Sequence, residues 1–441
     1  MKIVQAVGWF YPESWGGTEI YVDGLSRRLR AAGHDVLIAA PDPNHSGERQ
    51  YEHHGLPVYR YPIPAAPTAD EAQSAVLVRG AERFHAWLRR TAPDVVHFHT
   101  FVTGLSVLEV EAARALGARV VVTTHAASLG FLCGRGTLMR WGAHACDAVV
   151  DETKCAACML QQRGMPRAIA TLVSRTPALV AALGAKAPGK PGAIFRMPAF
   201  IRAQRDRQRR VLAAADRFVV LTRWAREAVI ANGAPPAKVA INRLGLNVSR
   251  PARQRDRAPR STGGPLSIGY IGRLDPIKGV ETFVRAVASL PSDVAVRAVI
   301  HGPTFNEAER IFVTRLKAVA RGDARISFGP AIPHAQIGTA LASFDVLCCP
   351  SIVVEGGPTI ALEAHAAGTP VVGARVPGLT EIVTDGVNGR LVEAGDWQAL
   401  ARVIAEMASD PGSTVDQWRT CLPPARSLDA VTREYLQMYA A

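Results

Sequence analysis

Hydrophobic positions in the first third of the chain fall into short apolar runs separated by longer stretches of helical period. Lys2–Gly8, Val36–Ala40, Val95–His99 and Arg119–His125 read as strands, with helices over Glu19–Ala32, around Ala75–Arg90 and around Leu105–Leu116. Alternation of that kind builds a parallel sheet covered by helices on both faces. A second series starts at Leu266–Ile271 and continues through Val296–Gly302, Arg325–Gly329, Asp345–Pro350 and Pro370–Gly373, again with helices between. Two such series predict two α/β domains. Between them, 248–264 is rich in Arg, Pro, Ser and Gly and poor in apolar residues, as a surface linker is. The domains are therefore expected at 1–247 and 265–425, with a C-terminal amphipathic helix over 426–441 whose docking partner the pattern leaves open.

Composition narrows the class. The 441 residues are 48% hydrophobic and 20% charged, which is globular rather than disordered. No apolar run approaches a bilayer span, and Met1–Val4 lead straight into a strand without a signal-peptide core, so a cytoplasmic protein is expected. Lys and Arg exceed Asp and Glu by 51 to 38, a net charge of +13 that suits phosphorylated ligands, anionic lipid or polyanions. The basic residues are scattered and no nucleic-acid-binding signature accompanies them, so nucleic acid is not expected as a partner.

Two segments of the second series carry candidate chemistry. In Gly269–Gly279, a strand runs into a turn in which Gly272 and Arg273 precede Lys278 and a helix start. A planar guanidinium, a mobile ammonium and a helix N-terminus together can hold a diphosphate. Downstream, Glu355 lies on a glycine loop past a strand end, where open α/β sheets bind ligands, and Glu363 lies eight residues on, inside a helix where it can accept hydrogen bonds from a ribose. The amides of Gly356, Gly357, Thr359 and Ile360 at that helix start are free to meet phosphate or sugar oxygens.

These stretches, together with Ala367-Gly-Thr-Pro-Val-Val372, Gly378-Leu-Thr-Glu381 and Asp385–Gly389, resemble the retaining family-4 glycosyltransferases of the GT-B fold, over nearly the whole chain. The resemblance implies two Rossmann-like domains facing a central cleft, a nucleotide-diphosphate-sugar donor and no metal in catalysis. No Asp-x-Asp pair occurs in the sequence, in keeping with that implication. It further implies that Arg273 and Lys278 neutralise the departing diphosphate, Glu355 grips hydroxyls of the transferred sugar and Glu363 binds the ribose. Gly16 and Gly17 match the family's first-domain glycine loop, which approaches the donor, and His125 matches its strand-end histidine beside the sugar. His97 and His99 read as satisfied core residues. Glu355 is followed by Gly-Gly-Pro where many relatives have an aromatic residue and Gly, which leaves the donor sugar unassigned. The acceptor expected from the family's range is a glycan or lipid-linked precursor of a cell-surface polysaccharide. A non-catalytic sugar-nucleotide-binding member is the alternative, whereas a nicotinamide-dependent oxidoreductase lacks its G-x-G-x-x-G turn.

An insert over roughly 126–210 separates the strand ending at His125 from the strand Phe218–Thr222. It holds Cys133, Cys146, Cys155 and Cys158, the last two as Cys-x2-Cys. Four thiols so close in a reducing compartment read as a structural zinc site, in which His144 could substitute for one ligand, with four unconnected thiols and iron–sulfur ligation as the other readings. Apolar and basic residues mix within Met165–Pro177 and Phe195–Arg210 in a way compatible with peripheral contact at a lipid-phosphate surface, or with a solvated helix.

Overall fold

The computed structural model describes every residue except 15, 126–131, 248–263, 305 and 441, and also omits the side chain of Ala178. Trp15 of the first glycine loop, the first residues of the insert and all but one residue of the expected linker lie outside the described residues. The chain divides into two compact units. The first comprises Met1–Gly142, Cys146–Leu244 and Leu428–Ala441; the second comprises Gly245–Ser427 with Ala143–Ala145.

In the first unit the strands are β1 (Lys2–Ala6), β2 (Asp35–Asp42), β3 (Arg49–His53), β4 (Leu56–Pro62), β5 (Val95–Phe98) and β6 (Arg119–Thr124). Two-residue strands β7 (Met139–Arg140) and β8 (His144–Ala145) follow in the chain, then β9 (Arg217–Val220) and β10 (Val239–Ile241). The large sheet runs β10-β9-β6-β5-β1-β2-β4-β3, parallel throughout except for β3 against β4. The central strands β1 and β5 are mostly apolar and almost wholly buried, Gln5 and His97 included, as a sheet covered on both faces requires. Its strand order reverses between β1 and β5, so the carboxyl ends of those two strands form a switch point.

Two elements here differ from the sequence pattern. The β3–β4 hairpin has no apolar signature on β3 (Arg-Gln-Tyr-Glu-His), which is an edge strand; its turn places His54 and Gly55 at φ 48° and 77°. The helix expected around 75–90 is instead a short capped helix, Ala69–Ala72, and a second one, Ala81–Thr91. Gly80 between them sits at φ 91°, and a Cβ there would lie 1.9 Å from the Pro62 carbonyl oxygen. The C-terminal helix Leu428–Ala440 packs on the first unit: Leu428, Val431, Tyr435 and Tyr439 join the core made by β1 and the helix Gly17–Ala31. Gly24 of that helix makes the room, since a Cβ there would meet Leu428 Cδ2 at 2.7 Å.

The second unit holds β11 (Leu266–Ile271), β12 (Val296–His301), β13 (Ile326–Gly329), β14 (Val346–Cys349), β15 (Val371–Ala374) and β16 (Gly389–Val392). They form one fully parallel sheet in the order β13-β12-β11-β14-β15-β16. Its switch point is between β11 and β14. One core lies under the helices Val280–Ala288 and Trp397–Ser409, and a second surrounds the helix Thr359–Ala366. Among the described residues no helix is long and apolar enough to cross a membrane.

Candidate active site

The loops that leave β11 and β14 meet at the second unit's switch point. Past Ile271, Gly272 and Arg273 begin a turn whose 3-10 segment Pro276–Lys278 is capped by the Asp275 carboxylate accepting from the Ile277 N–H at 3.0 Å. The Ile352 N–H donates to the Ile277 carbonyl at 3.0 Å and ties this turn to the β14 loop. Gly279, at φ 69°, is the glycine that permits the approach: a Cβ there would stand 1.9 Å from the Pro350 carbonyl oxygen. Gly272 is less constrained, since its Cβ would meet the Tyr270 hydroxyl at 3.1 Å. Gly378, at φ 94°, plays the equivalent part for the loop after β15, with the Glu355 carbonyl oxygen 2.0 Å from where a Cβ would be.

This packing brings the predicted charged residues together. Lys278 Nζ donates to Glu355 Oε1 at 2.7 Å, and the Ser351 hydroxyl donates to the same oxygen at 2.7 Å. The pair is mostly enclosed, with the Lys278 and Glu355 side chains 30% and 15% exposed. Arg273 reaches outward, half exposed and 3.5 Å from Asp275. Gly356 and Gly357, the latter at φ 102°, lead into the helix Thr359–Ala366, which begins at Pro358 without a side-chain cap. Thr359 and Ile360 are its first two residues, whose N–H groups an α-helix leaves without an internal acceptor. Glu363, on the next turn, lies 3.6 Å from His334 Nε2, and this carboxylate raises the His334 pKa above the ordinary histidine value. Sequence reasoning did not single out Ser351 or His334. Ser351 lies four residues before Glu355 on the same loop, whereas His334 comes from a separate loop with no local signal.

In the first unit, Gly16 caps the helix Gly17–Ala31 in extended conformation and, like the strand ends, faces the carboxyl side of the sheet. His125 follows β6, and its ring lies 4.7 Å from Tyr21 in the first turns of that helix. His125 Nε2 and His99 Nδ1 are 2.9 Å apart, and His99 Nε2 lies 2.6 Å from Gln5 Oε1. With the Gln5 carbonyl accepting from His99 Nε2, His99 Nδ1 accepts from His125 Nε2–H, and the His125 Nδ1 lone pair is left as an acceptor. Burial lowers the His125 pKa to about 3 and pulls His97 and His99 well below the usual value, so the cluster is neutral at physiological pH. His97 is a satisfied core residue, bonded to the Tyr439 hydroxyl and to Thr123 Oγ1, each at 2.7 Å. His99 is buried and satisfied too, but one of its partners is His125.

The four insert cysteines, all free of disulfides, line one small cavity of about 20 Å³ in the first unit. No three of their sulfurs lie within 4.8 Å of one another; among the described residues Asp23, His53 and His54 form such a trio.

Comparison with known proteins places the chain among known sequences and folds. Residues 15–175 match the model described as Glycosyltransferase Family 4, and residues 253–420 match Glycosyl transferases group 1. The chain belongs to this family of GT-B glycosyltransferases. A D-inositol 3-phosphate glycosyltransferase of Kribbella flavida is 34% identical over 222 residues, 47% of this chain and 51% of the relative. That of Mycobacterium tuberculosis is 32% identical over 219 residues, 47% of this chain and 45% of the relative. The chain thus spans about half the length of the curated relatives it matches. Among solved structures, Anabaena HepE in complex with UDP aligns with a TM-score of 0.65 at 16% identity, covering 100% of both chains. A sucrose-phosphate synthase from Thermosynechococcus elongatus aligns with a TM-score of 0.65 at 19% identity, covering 100% of this chain and 98% of that one. At these identities the structural likeness speaks for the fold.

Proposed function

We propose that this protein is a retaining, metal-independent hexosyltransferase that moves a sugar from a nucleotide-diphosphate donor to a glycan or lipid-linked acceptor in cell-surface polysaccharide synthesis. The observation that carries the reading is the Arg273, Lys278 and Glu355 cluster at the switch point of the second sheet, with Glu363 on the helix Thr359–Ala366 that follows Glu355. Cleavage of the sugar–phosphate bond leaves negative charge on the diphosphate, and preorganised cations stabilise it most where they need not rearrange. Arg273, the Lys278 ammonium and the uncapped start of Thr359–Ala366 supply that charge without a divalent ion. Lys278 exchanges Glu355 for phosphate on donor binding, which releases the Glu355 carboxylate to accept from sugar hydroxyls. Glu363 accepts from the ribose hydroxyls. In retention by same-face attack, the departing phosphate oxygen takes the acceptor proton, so no protein base is required. His125, neutral and presenting Nδ1 as an acceptor, orients a sugar hydroxyl, and the loop at Gly16 and Gly17 allows close approach of backbone to ligand.

The relatives named for transfer to D-inositol 3-phosphate, and the solved neighbour holding UDP, support a uridine nucleotide donor and an anionic acceptor. A lipid-linked acceptor is supported by the insert, where Ile169, Leu172, Leu179, Val180 and Leu183 are exposed among Arg163, Arg167, Arg175, Lys186 and Lys190. Apolar side chains flanked by cations suit an anionic membrane surface.

The reading is tested by thermal shift of the purified chain against UDP-, GDP-, ADP- and TDP-sugars, with Arg273→Ala and Glu363→Ala alongside. One nucleotide class is expected to stabilise wild type and neither variant, with EDTA making no difference. Anomeric analysis of the product by NMR then checks retention. Stabilisation without any turnover favours a sugar-nucleotide sensor, and no stabilisation by any nucleotide at millimolar concentration refutes the donor site. Sedimentation with phosphatidylglycerol-containing but not pure phosphatidylcholine vesicles, lost in Leu172→Asp/Leu179→Asp, tests the membrane surface.

A further inference from the structure

The stretch 132–150, ahead of the helix Glu152–Gln162, has almost no regular structure beyond β7 and β8, yet Leu132, Leu138, Met139, Ala148 and Val150 are buried in it. Three of its non-glycine residues, Leu138, Trp141 and Ala148, hold φ of 54°, 56° and 56°. Left-handed backbone is costly for a side-chain-bearing residue and persists only where the surroundings over-determine it. The neighbouring core is small, built on Val150, Ala156, Ala157, Met159, Leu160, Ala170, Met197 and Ile201, several of them alanine. Hydrophobic packing of this size is a weak constraint on a strained, irregular segment, and small scaffolds of this kind are commonly held by a cross-link.

Cys133, Cys146, Cys155 and Cys158 converge at the place where such a cross-link would act. Cys133 and Cys146 come from the irregular stretch, while Cys155 and Cys158, three apart on the helix Glu152–Gln162, share one face. All four line the same cavity with Leu132, Met139 and Ala148. Its volume of about 20 Å³ admits one body the size of a water molecule. The Trp141 N–H donates to Cys158 Sγ at 3.4 Å and Arg135 Nη1 stands 3.9 Å from it, so two donors already face that sulfur.

We infer that Cys133, Cys146, Cys155 and Cys158 bind one structural zinc ion as four thiolates. Zinc–sulfur bonds of about 2.3 Å in a tetrahedron set the sulfurs about 3.8 Å apart, so the thiols close in from the cavity wall on binding. Four S–H bonds break, four Zn–S bonds form and four protons leave to solvent, giving a site of net charge −2. Arg135 and Arg140 on the cavity wall offset that charge. With all four positions filled by protein, the ion cross-links the insert and has no open position for substrate. The inference stands independently of the transferase reading.

Elemental analysis of the purified full chain is expected to find one zinc per chain and no acid-labile sulfide, with zinc lost in Cys155→Ser and in Cys158→Ser. Replacement of zinc by cobalt(II) in wild type is expected to give the charge-transfer and d–d absorption of tetrahedral four-thiolate coordination, a readout that does not depend on the variants folding. Zinc absent while all four thiols react with a thiol reagent overturns the inference. So does iron with sulfide, disulfide linkage among the four, or a cobalt spectrum without sulfur charge transfer.

Discussion

Lys278 holds Glu355 at 2.7 Å, and the proposed donor must take it away. The exchange sets the size of the effect of Lys278→Ala. A charge-assisted hydrogen bond from an ammonium to phosphate contributes about 1.5–3 kcal/mol. The ion pair given up in exchange, open to solvent on one side, is worth about 0–1 kcal/mol. The difference, about 0.5–3 kcal/mol, corresponds to nucleoside-diphosphate binding weakened by about 2- to 150-fold. Stability falls by no more than about 1 kcal/mol, because Ser351 still donates to Glu355. Glu355→Gln carries the opposite sign: it frees Lys278, so the nucleoside diphosphate binds unchanged or up to about 5-fold tighter, while the gain that the sugar adds to binding is lost. Isothermal titration of UDP and of the nucleotide sugar that stabilises wild type, with melting curves on the same samples, measures all of this. A Lys278→Ala protein that melts like wild type and binds the diphosphate within twofold of it would refute the exchange.

Gly279→Ala forces a Cβ to within 1.9 Å of the Pro350 carbonyl at a φ of 69°. We expect a loss of about 2–4 kcal/mol, read as a lower melting temperature with nucleotide binding impaired in the same protein. Burial keeps His97, His99 and His125 neutral when folded, His125 titrating only near pH 3, while unfolding returns them to the ordinary range near 6.5. The unfolded chain therefore binds more protons below that range. The stability these histidines contribute is fully present above about pH 6.5 and drains away towards pH 3, at up to about 1.4 kcal/mol per pH unit for each; melting curves from pH 7.5 to 5 should show a shallower slope in His99→Gln. Tyr439→Phe removes the hydroxyl bonded to His97 Nδ1 and leaves a buried nitrogen without that partner, at a cost of about 1–3 kcal/mol in denaturant melts. Removal of 428–441 strips Leu428, Val431, Tyr435 and Tyr439 from the first unit's core, at about 1.5–3 kcal/mol each. That sum rivals a whole domain's stability, so soluble expression of the truncated chain should fail.

Much of the second unit was legible because its signals are local. Each of β11, β12, β14 and β15 is a short apolar run bounded by turn residues, and Arg273, Lys278, Glu355 and Glu363 lie within two short segments at strand ends. The polar edge strand β3 and the break at Gly80 were not legible. An edge strand need not alternate, and the constraint at Gly80 comes from a carbonyl eighteen residues earlier, at Pro62.

By itself, the sequence determined the two α/β series, the charged residues at the strand ends and the clustering of four cysteines in one insert, because periodicity and motif spacing are properties of neighbouring residues. Tertiary structure alone decided that the C-terminal helix closes the first core, that Gly279 rather than Gly272 is the glycine the site cannot replace, and that Lys278 rests on Glu355. It likewise joined Gln5, His99 and His125 into one hydrogen-bonded line across three strands. Those contacts span from about thirty to over four hundred residues of chain, and only the packing of sheets and helices sets which distant groups come within hydrogen-bond reach.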